Sequence, residues 1–246
     1  MSARVTFATA RRVLSQLRHD HRTIALMLLV PSVLLTLLWW LYDERSPQVF
    51  DAVGSVLVCL FPFLVMFLVT SIATLRERTS GTLERLLTMP LGKLDLLLGY
   101  AIAFGLVALV QASIAVTVAV GLLGLDLAGQ AWLLLVIAVA DALLGVALGL
   151  FVSAFARTEF QAVQFMPVVV LPQFLLGGFL LPRQAMPDVL EAISTAFPLS
   201  YAIDAARSVS TSPDITGALV GDVGIVLGCV VLALALGAAT LRRRTP

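Results

Sequence analysis

Residues 52–75 read AVGSVLVCLFPFLVMFLVTSIATL, a run of 24 residues that contains no Asp, Glu, Lys or Arg. A helix of about 20 residues, rising roughly 1.5 Å per residue, crosses the roughly 30 Å hydrocarbon core of a bilayer. This run is therefore long enough and apolar enough to cross a membrane as one helix. It places the chain among integral membrane proteins rather than soluble domains.

Similar apolar runs repeat on both sides of this one, and a run near the middle of the chain is interrupted only by Asp141. The whole chain has 246 residues, of which 60% are hydrophobic and 13% charged, whereas soluble domains carry about 25% charged residues. We predict an all-α integral membrane protein, with one transmembrane domain over residues 1–246. Its six membrane helices are expected at residues 23–42, 52–75, 96–125, 127–156, 160–182 and 215–241.

The distribution of basic residues predicts the orientation of these spans. When successive spans alternate in direction, thirteen of the 16 Lys and Arg residues fall on one side, and the other three are Arg45, Arg183 and Arg207. Cytoplasmic loops carry the excess of Lys and Arg. Both termini are therefore predicted to face the cytoplasm, which agrees with an even number of crossings.

The N-terminal segment, residues 1–22, carries five arginines before the first apolar run. Helical periodicity over residues 4–17 separates an apolar face from a basic one, which predicts an amphipathic helix on the cytoplasmic membrane surface. The alternative is a charged flank that only fixes orientation. The first run is too long for the apolar region of a signal peptide, so we expect it to remain as an anchor. The apolar face comprises Phe7, Ala10, Val13, Leu14 and Leu17, and the polar face comprises Arg4, Arg11, Ser15 and Arg18.

The cytoplasmic link after the second span reads RERTSGTLERLLTMP over residues 76–90. Residues 79–81 form a break with capping side chains, the following leucines recur at helical spacing, and Pro90 prevents continuation. The pattern predicts a short amphipathic helix. Its leucines need a receiving surface, which could be the protein's own helix ends, the lipid interface or a docked partner.

The external stretch of residues 183–214 combines prolines with apolar residues. The apolar positions fall into two groups on either side of Pro198, and neither group is long enough to cross the membrane. They predict two short half-helices forming a re-entrant or interfacial pair. The alternative is a plain extracellular loop.

The sequence lacks the common motifs of nucleotide-binding, metal-binding and hydrolytic sites. It contains no phosphate-binding GxxxxGK[ST] loop, no HExxH and no GxSxG, and its two cysteines lack CxxC spacing. We therefore expect no catalytic residues, no metal site and no cofactor bound by this chain. The basic residues are spread over several loops, which gives no support for nucleic-acid binding.

Asp141 lies near the middle of the fourth predicted span. An ionisable residue at that depth is energetically costly and faces a cavity or a partner group. One interpretation is a proton or cation contact in a transport path. The other, which we favour, is a packing hydrogen bond from the carboxyl group to a neighbouring helix.

Two segments resemble the ATP-binding-cassette (ABC) type 2 exporter permeases, in particular the drug and lipid efflux branch that includes the daunorubicin-resistance permease. Residues 77–90 are similar to that family's E-x-x-x-G-T-x-E-x-L-L-x-x-P pattern after the second span. The external segment is similar through GGFLLP at residues 177–182, Met186-Pro187, and FPLSYAIDAAR at residues 197–207. Through the chain length, the number of spans and these two segments, the resemblance covers nearly the whole chain.

The resemblance implies that residues 76–95 form a coupling segment docked on a separate cytoplasmic ABC ATPase, with the N-terminal helix packed beside it. It also implies an extracellular re-entrant element that closes the exit. Two ATPase subunits, which bind ATP and Mg, and a second permease subunit, identical or homologous, would complete a complex in the plasma membrane. The implied coupling residues are Glu77, Arg78, Thr79, Gly81, Thr82, Glu84, Arg85, Leu86 and Leu87. Those of the re-entrant element are Phe197, Pro198, Tyr201, Asp204 and Arg207.

The family also implies a substrate path between two permease subunits, lined mainly by the first, second and fifth spans. Candidate lining residues are Phe61, Phe63, Phe67, Gln164, Gln173, Phe174 and Phe179. Aromatic rings with scattered amides suit a hydrophobic or amphipathic cargo such as a drug, a polyketide or a lipid. Two alternatives stay open: a membrane enzyme, and a non-transporting membrane partner or regulatory subunit of an ATPase complex.

Overall fold

A computed structural model describes residues 3–42, 46–82 and 92–240 of the chain. These ranges are helical and contain no β-strand. The first five α-helices are α1 (Ala3–His19), α2 (His21–Tyr42), α3 (Pro47–Thr79), α4 (Lys93–Val116) and α5 (Ala131–Val152). The remaining four are α6 (Glu159–Leu176), α7 (Asp188–Ser194), α8 (Pro198–Thr211) and α9 (Gly217–Thr240). A π-helical segment, Thr117–Leu122, extends α4, and a 3₁₀ turn, Arg183–Ala185, precedes α7.

Six of these helices are long and apolar enough to cross a membrane: α2, α3, α4 with its extension, α5, α6 and α9. This confirms the predicted helical class and number of candidate spans. Some ends differ from the predicted ones. α3 begins at Pro47, a residue favoured in the first helical turn, and continues to Thr79 rather than 75. α6 ends at Leu176 rather than 182, because Gly178 adopts a φ of 94° that breaks the helix.

The centre of the molecule is the contact between α3 and α5, which α4, α8 and α9 surround. Gly145 and Gly149 of α5 lie directly against the backbone of α3. A Cβ atom at Gly145 would come within 2.3 Å of the Phe63 carbonyl oxygen, and one at Gly149 within 2.6 Å of the Phe67 carbonyl oxygen. Only glycine permits this approach of two backbones, so these two residues fix how closely the central helices pack.

The N-terminal segment forms α1, which packs across α4. Its buried stripe consists of Thr6, Thr9, Ala10 and Val13, whereas Phe7 is 64% exposed. The sequence pattern put Phe7 on the apolar face, but the receiving surface on α4 favours small side chains. A Cβ atom at Gly99 of α4 would lie 2.6 Å from the Thr9 Cβ atom. The position of α1 on a membrane surface stays a prediction.

The segment predicted to be external contains two short helices, α7 and α8, separated by residues 195–197. α8 begins with Pro198 and buries Leu199, Ala202, Ile203 and Ala206 against the neighbouring helices. It contacts α3, α5, α6 and α9. Its depth in a membrane, and hence the re-entrant character predicted for the pair, stays a prediction.

Candidate functional site

The predicted coupling segment begins inside α3. Glu77, Arg78 and Thr79 form the last turn of that helix, so they are not part of a loop as the predicted span boundary at residue 75 implied. The helix ends at Ser80 and Gly81, and Gly81 adopts a φ of 71°. Left-handed backbone of this kind favours glycine, which explains the residue type at the turn. Thr82 follows the turn, and Glu84, Arg85, Leu86 and Leu87 lie outside the described residues.

Glu77 binds a side chain from the N-terminal helix. The Arg12 guanidinium donates two hydrogen bonds to the Glu77 carboxylate, at 2.9 and 3.1 Å. The Tyr100 hydroxyl of α4 donates to the same carboxylate and accepts a hydrogen bond of 3.1 Å from Arg12. Arg12 also lies over the Tyr100 ring, 5.9 Å from its centroid. One cluster, Arg12–Glu77–Tyr100, thus joins α1, α3 and α4.

This cluster borders a cavity of about 260 Å³ between α1, α3 and α4. The apolar part of its wall includes Val13, Leu17 and Phe104, and the polar part includes Gln16 and Glu77. Arg12 and Tyr100 were missed by sequence reasoning. Arg12 is one of five arginines in the N-terminal flank, and Tyr100 lies in an apolar run, so no local pattern distinguishes either residue.

A second ion pair joins the same end of α3 to α6. Arg76 donates hydrogen bonds of 2.7 and 3.0 Å to Glu159, the first residue of α6. Both side chains are more than half exposed, so water and salt weaken this attraction. Arg78 is half-buried, and its Nε atom has no hydrogen-bond partner among the described residues. Through Glu77 and Arg76, the end of α3 is thus joined to α1, α4 and α6.

The candidate path residues do not form one surface in the described chain. Phe63 and Phe67 are fully buried in the core, whereas Gln164 is exposed on α6. Gln173 is buried and donates a hydrogen bond of 2.9 Å to the Val169 carbonyl oxygen. The half-buried Phe61 packs against the core, and the rings of Phe174 and Phe179 lie 4.5 Å apart.

The residues of the predicted external element contact one another closely. Arg183 donates a hydrogen bond of 2.8 Å to Asp204 of α8 and one of 3.0 Å to the Ser194 hydroxyl of α7. Arg207 donates to the Gly178 carbonyl oxygen at 2.9 Å. Burial raises the pKa of Asp204 above its usual value, although the neighbouring Arg183 opposes this shift. Phe197 and Pro198 form the start of α8.

Asp141 lies in the contact between α3 and α5 and is 0% exposed. Neither of its carboxylate oxygens has a hydrogen-bond partner within the described ranges. The favoured interpretation, a packing hydrogen bond to a neighbouring helix, therefore has no counterpart in this part of the chain.

Comparison with known proteins gives related sequences. Residues 4–210 match the family described as "ABC-2 type transporter". "Probable multidrug ABC transporter permease YbhS" of Escherichia coli K12 is 26% identical over 207 residues, which are 84% of this chain and 54% of that protein. "Probable multidrug ABC transporter permease YbhR" of the same strain is 29% identical over 153 residues, which are 62% of this chain and 42% of that protein.

A eukaryotic relative is "ABC transporter G family member 20" of Dictyostelium discoideum. It is 26% identical over 168 residues, which are 68% of this chain and 23% of that protein. The chain thus spans about half, or less, of the length of these curated relatives. The family match covers most of the chain and includes both motif segments. On these grounds the chain belongs to the ABC-2 type transporter family.

Proposed function

We propose that this chain is the membrane-spanning permease subunit of an ATP-driven ABC exporter. The observation that carries the proposal is the family match over residues 4–210, which includes the coupling pattern at the end of α3. The cargo we propose is a hydrophobic or amphipathic compound, such as a drug, a polyketide or a lipid. Two relatives named as multidrug permeases support this choice, and so do the aromatic and amide side chains of the candidate path.

In this proposal the chain hydrolyses no ATP itself. Two cytoplasmic ABC ATPase subunits bind ATP and Mg, and a second permease subunit, identical or homologous, completes the path. The complex lies in the plasma membrane with both permease termini in the cytoplasm. The excess of basic residues on one side of the predicted spans supports this orientation.

We further propose that the coupling residues divide into an outer and an inner group. Thr79, Gly81, Thr82 and the segment that follows form the outer group, which contacts the ATPase. Glu77 belongs to the inner group, because its carboxylate binds Arg12 and Tyr100 of this same chain. When the ATPase subunits close on ATP, a displacement of the coupling segment is transmitted to α1 and α4 together with α3.

The path is proposed to run between the two permease subunits along α2, α3 and α6. α2 and α6 leave many apolar side chains exposed, including Leu29, Leu37 and Val168, which either lipid or a second subunit can cover. Gln164 is exposed on α6 and supplies a polar contact on this surface. Phe67 is enclosed by its own chain, so its contribution would be to hold α3 in place.

The outer group is tested by substituting Gly81. Its φ of 71° is open to glycine and tolerated by asparagine, but it is strained for a β-branched residue. We expect Gly81→Val to abolish transport while the partner ATPase continues to hydrolyse ATP, and Gly81→Asn to retain transport. Reversing the charge at Glu84 should uncouple the complex in the same way. Normal transport by both Gly81→Val and Glu84→Lys would contradict the coupling assignment.

A non-transporting membrane partner of an ATPase complex is the alternative function. Co-purification of an ATPase from membranes that contain the tagged chain is the first measurement. The second is ATP hydrolysis by the complex in lipid vesicles, with and without a lipophilic fluorescent dye as cargo. An exporter should show dye-stimulated hydrolysis and ATP-dependent accumulation of dye inside inverted vesicles. Hydrolysis that no cargo changes, without dye movement, would favour the non-transporting partner.

A further inference from the structure

The buried carboxyl group of Asp141 is not used by the proposed coupling mechanism. Its side chain is 0% exposed and lies between α3 and α5, which form the most extensive helix contact among the described residues. Both carboxylate oxygens lack a hydrogen-bond partner within the described ranges. An unsatisfied carboxyl group in such a place demands a physical explanation, because buried polar groups are almost always hydrogen-bonded.

The register of the two helices identifies what faces Asp141. Gly145 lies against Phe63 and Gly149 against Phe67, so residues of α5 face residues of α3 that are 82 positions earlier. One turn before Gly145, the same register puts Asp141 opposite Cys59, whose thiol is also buried. Cys59 is therefore the titratable group that α3 presents to the carboxyl group.

The other helices packed against α5 bring no compensating charge. In the described part of the chain, α4, α8 and α9 surround α5, and none of their described charged residues makes an ion pair or hydrogen bond with Asp141. These residues are Asp95, Asp204, Arg207 and Asp222. An ionised carboxylate would then be buried with neither a counter-ion nor a hydrogen-bond donor. That is the costliest form of polar burial in a protein interior, whereas the neutral acid leaves only a hydrogen bond unmade.

We propose that the closed α3–α5 pair forms a proton-binding site in which Asp141 is held as a neutral carboxylic acid. The proton enters with the side chain when the two helices pack and can leave only when they separate far enough for water to reach the carboxyl group. The glycine contacts at Gly145 and Gly149 keep water out, because they bring the two backbones into direct contact. Packing of the pair during folding therefore takes up one proton from neutral buffer.

The sign of the resulting pH dependence follows from linkage. The folded state holds a proton on Asp141 that the unfolded state releases to neutral or alkaline buffer. Stability consequently falls as the pH rises. One proton changes the unfolding equilibrium constant by up to about tenfold per pH unit. Asp141→Asn has a similar shape and cannot ionise, so it should remove this part of the pH dependence.

Infrared spectroscopy tests the protonation state directly. The purified protein is placed in vesicles of phosphatidylethanolamine and phosphatidylglycerol at neutral pH, and its spectrum is compared with that of Asp141→Asn. We expect the wild-type protein to show a carbonyl stretching band of a protonated carboxyl group that the variant lacks. Asp126→Asn removes an exposed carboxylate and serves as the matched control that should retain the band. Absence of the band from the wild-type protein at neutral pH would overturn the proposal.

Unfolding by denaturant across neutral to alkaline pH provides the second measurement. Relative to Asp141→Asn, the wild-type protein should show an unfolding constant that rises by up to about tenfold per pH unit, and Asp126→Asn should behave like the wild type. Equal pH dependence in the wild type and Asp141→Asn would contradict the proposal. If Asp141→Asn does not fold, the wild-type infrared band decides: it should persist in folded protein above neutral pH. Its loss in the pH range where exposed carboxyl groups ionise overturns the assignment.

Discussion

Glu77, one of the predicted coupling residues, is bound by side chains of its own chain. Its carboxylate receives two hydrogen bonds from Arg12 and one from Tyr100, and it is more buried than the guanidinium it binds. A bidentate guanidinium–carboxylate pair is directional as well as attractive, so it fixes the angle between α1 and α3. The pair is only partly exposed to solvent, and salt therefore weakens it less than it weakens Arg76–Glu159.

Removal of Arg12 leaves the Glu77 carboxylate without its counter-ion. We expect Arg12→Ala to lower the free energy of unfolding by about 1–3 kcal/mol, the range for leaving a hydrogen-bonded group unpaired. Tyr100→Phe removes one hydroxyl and should cost about 1 kcal/mol. Denaturant unfolding of the purified protein measures both changes.

The neighbouring residue Arg11 offers the control, because its side chain is exposed on the other face of α1. Arg11→Ala should change the free energy of unfolding by less than about 0.5 kcal/mol. The exchanged pair Arg12→Glu with Glu77→Arg should recover part of the lost stability. If Arg11→Ala costs as much as Arg12→Ala, the effect comes from the charge of the N-terminal flank rather than from the cluster.

The raised pKa of Asp204 predicts a pH dependence of the protein's stability. Burial makes the folded protein hold the Asp204 proton more tightly than the unfolded chain does, even with Arg183 nearby. The titration of this group therefore contributes stability below the usual pKa of an aspartate, and the contribution is lost as the pH rises through the raised pKa. Asp204→Asn should remove this contribution, which unfolding measurements from acidic to neutral pH can detect. A pH profile that is identical in the variant would contradict the shift.

At the level of helices, the contact between α3 and α5 depends on two glycines. A Cβ atom at Gly145 would lie 2.3 Å from a backbone oxygen, which cannot move as a flexible side chain could. Gly145→Ala should therefore force the helices apart. We expect it to lower the free energy of unfolding by about 1–3 kcal/mol or more, the typical cost of overpacking a protein core. Thermal unfolding or the yield of folded protein measures this loss.

Gly228 of α9 is the matched control for that substitution. It lies in an apolar helix like Gly145, but a Cβ atom there would meet nothing within 4 Å. Gly228→Ala should leave stability unchanged or raise it by up to about 1 kcal/mol, because alanine favours the helical state. If both substitutions lower the free energy of unfolding by similar amounts, close packing against α3 is not the reason for the loss at Gly145.

The helices were predictable because a membrane span is a continuous run of apolar residues with a minimum length, which the sequence shows directly. Gly145 and Gly149 have the GxxxG spacing that is typical of closely packed membrane helices. The partner of Glu77 was not predictable, because Arg12 lies 65 positions away and the pair depends on how α1 lies across α4. The exposure of Phe7 has the same origin. Periodicity defines the faces of a helix, but the opposing surface decides which face is buried.

For the whole molecule, the ion pairs of the described residues lie at the ends of the helix bundle. Arg12–Glu77 and Arg76–Glu159 join helices at the end where α3 finishes, and Arg183–Asp204 lies at the opposite end. Between them the core is apolar, apart from a few buried polar groups that include Asp141. Ion pairs therefore join helices at both ends of the bundle, and the glycine contact between α3 and α5 joins them in the middle.

The orientation of this bundle is the prediction that most of the proposed mechanism requires. Ser80 and Thr195 are exposed residues at its two ends, one following α3 and the other following α7. In a Cys59→Ala, Cys229→Ala background, a membrane-impermeant maleimide applied to intact cells should label Thr195→Cys and leave Ser80→Cys unlabelled until the membrane is opened. Both variants should react equally in detergent, which controls for their intrinsic reactivity. Labelling of Ser80→Cys from outside would place the coupling segment where no cytoplasmic ATPase can reach it, and the proposed export mechanism would fail with it.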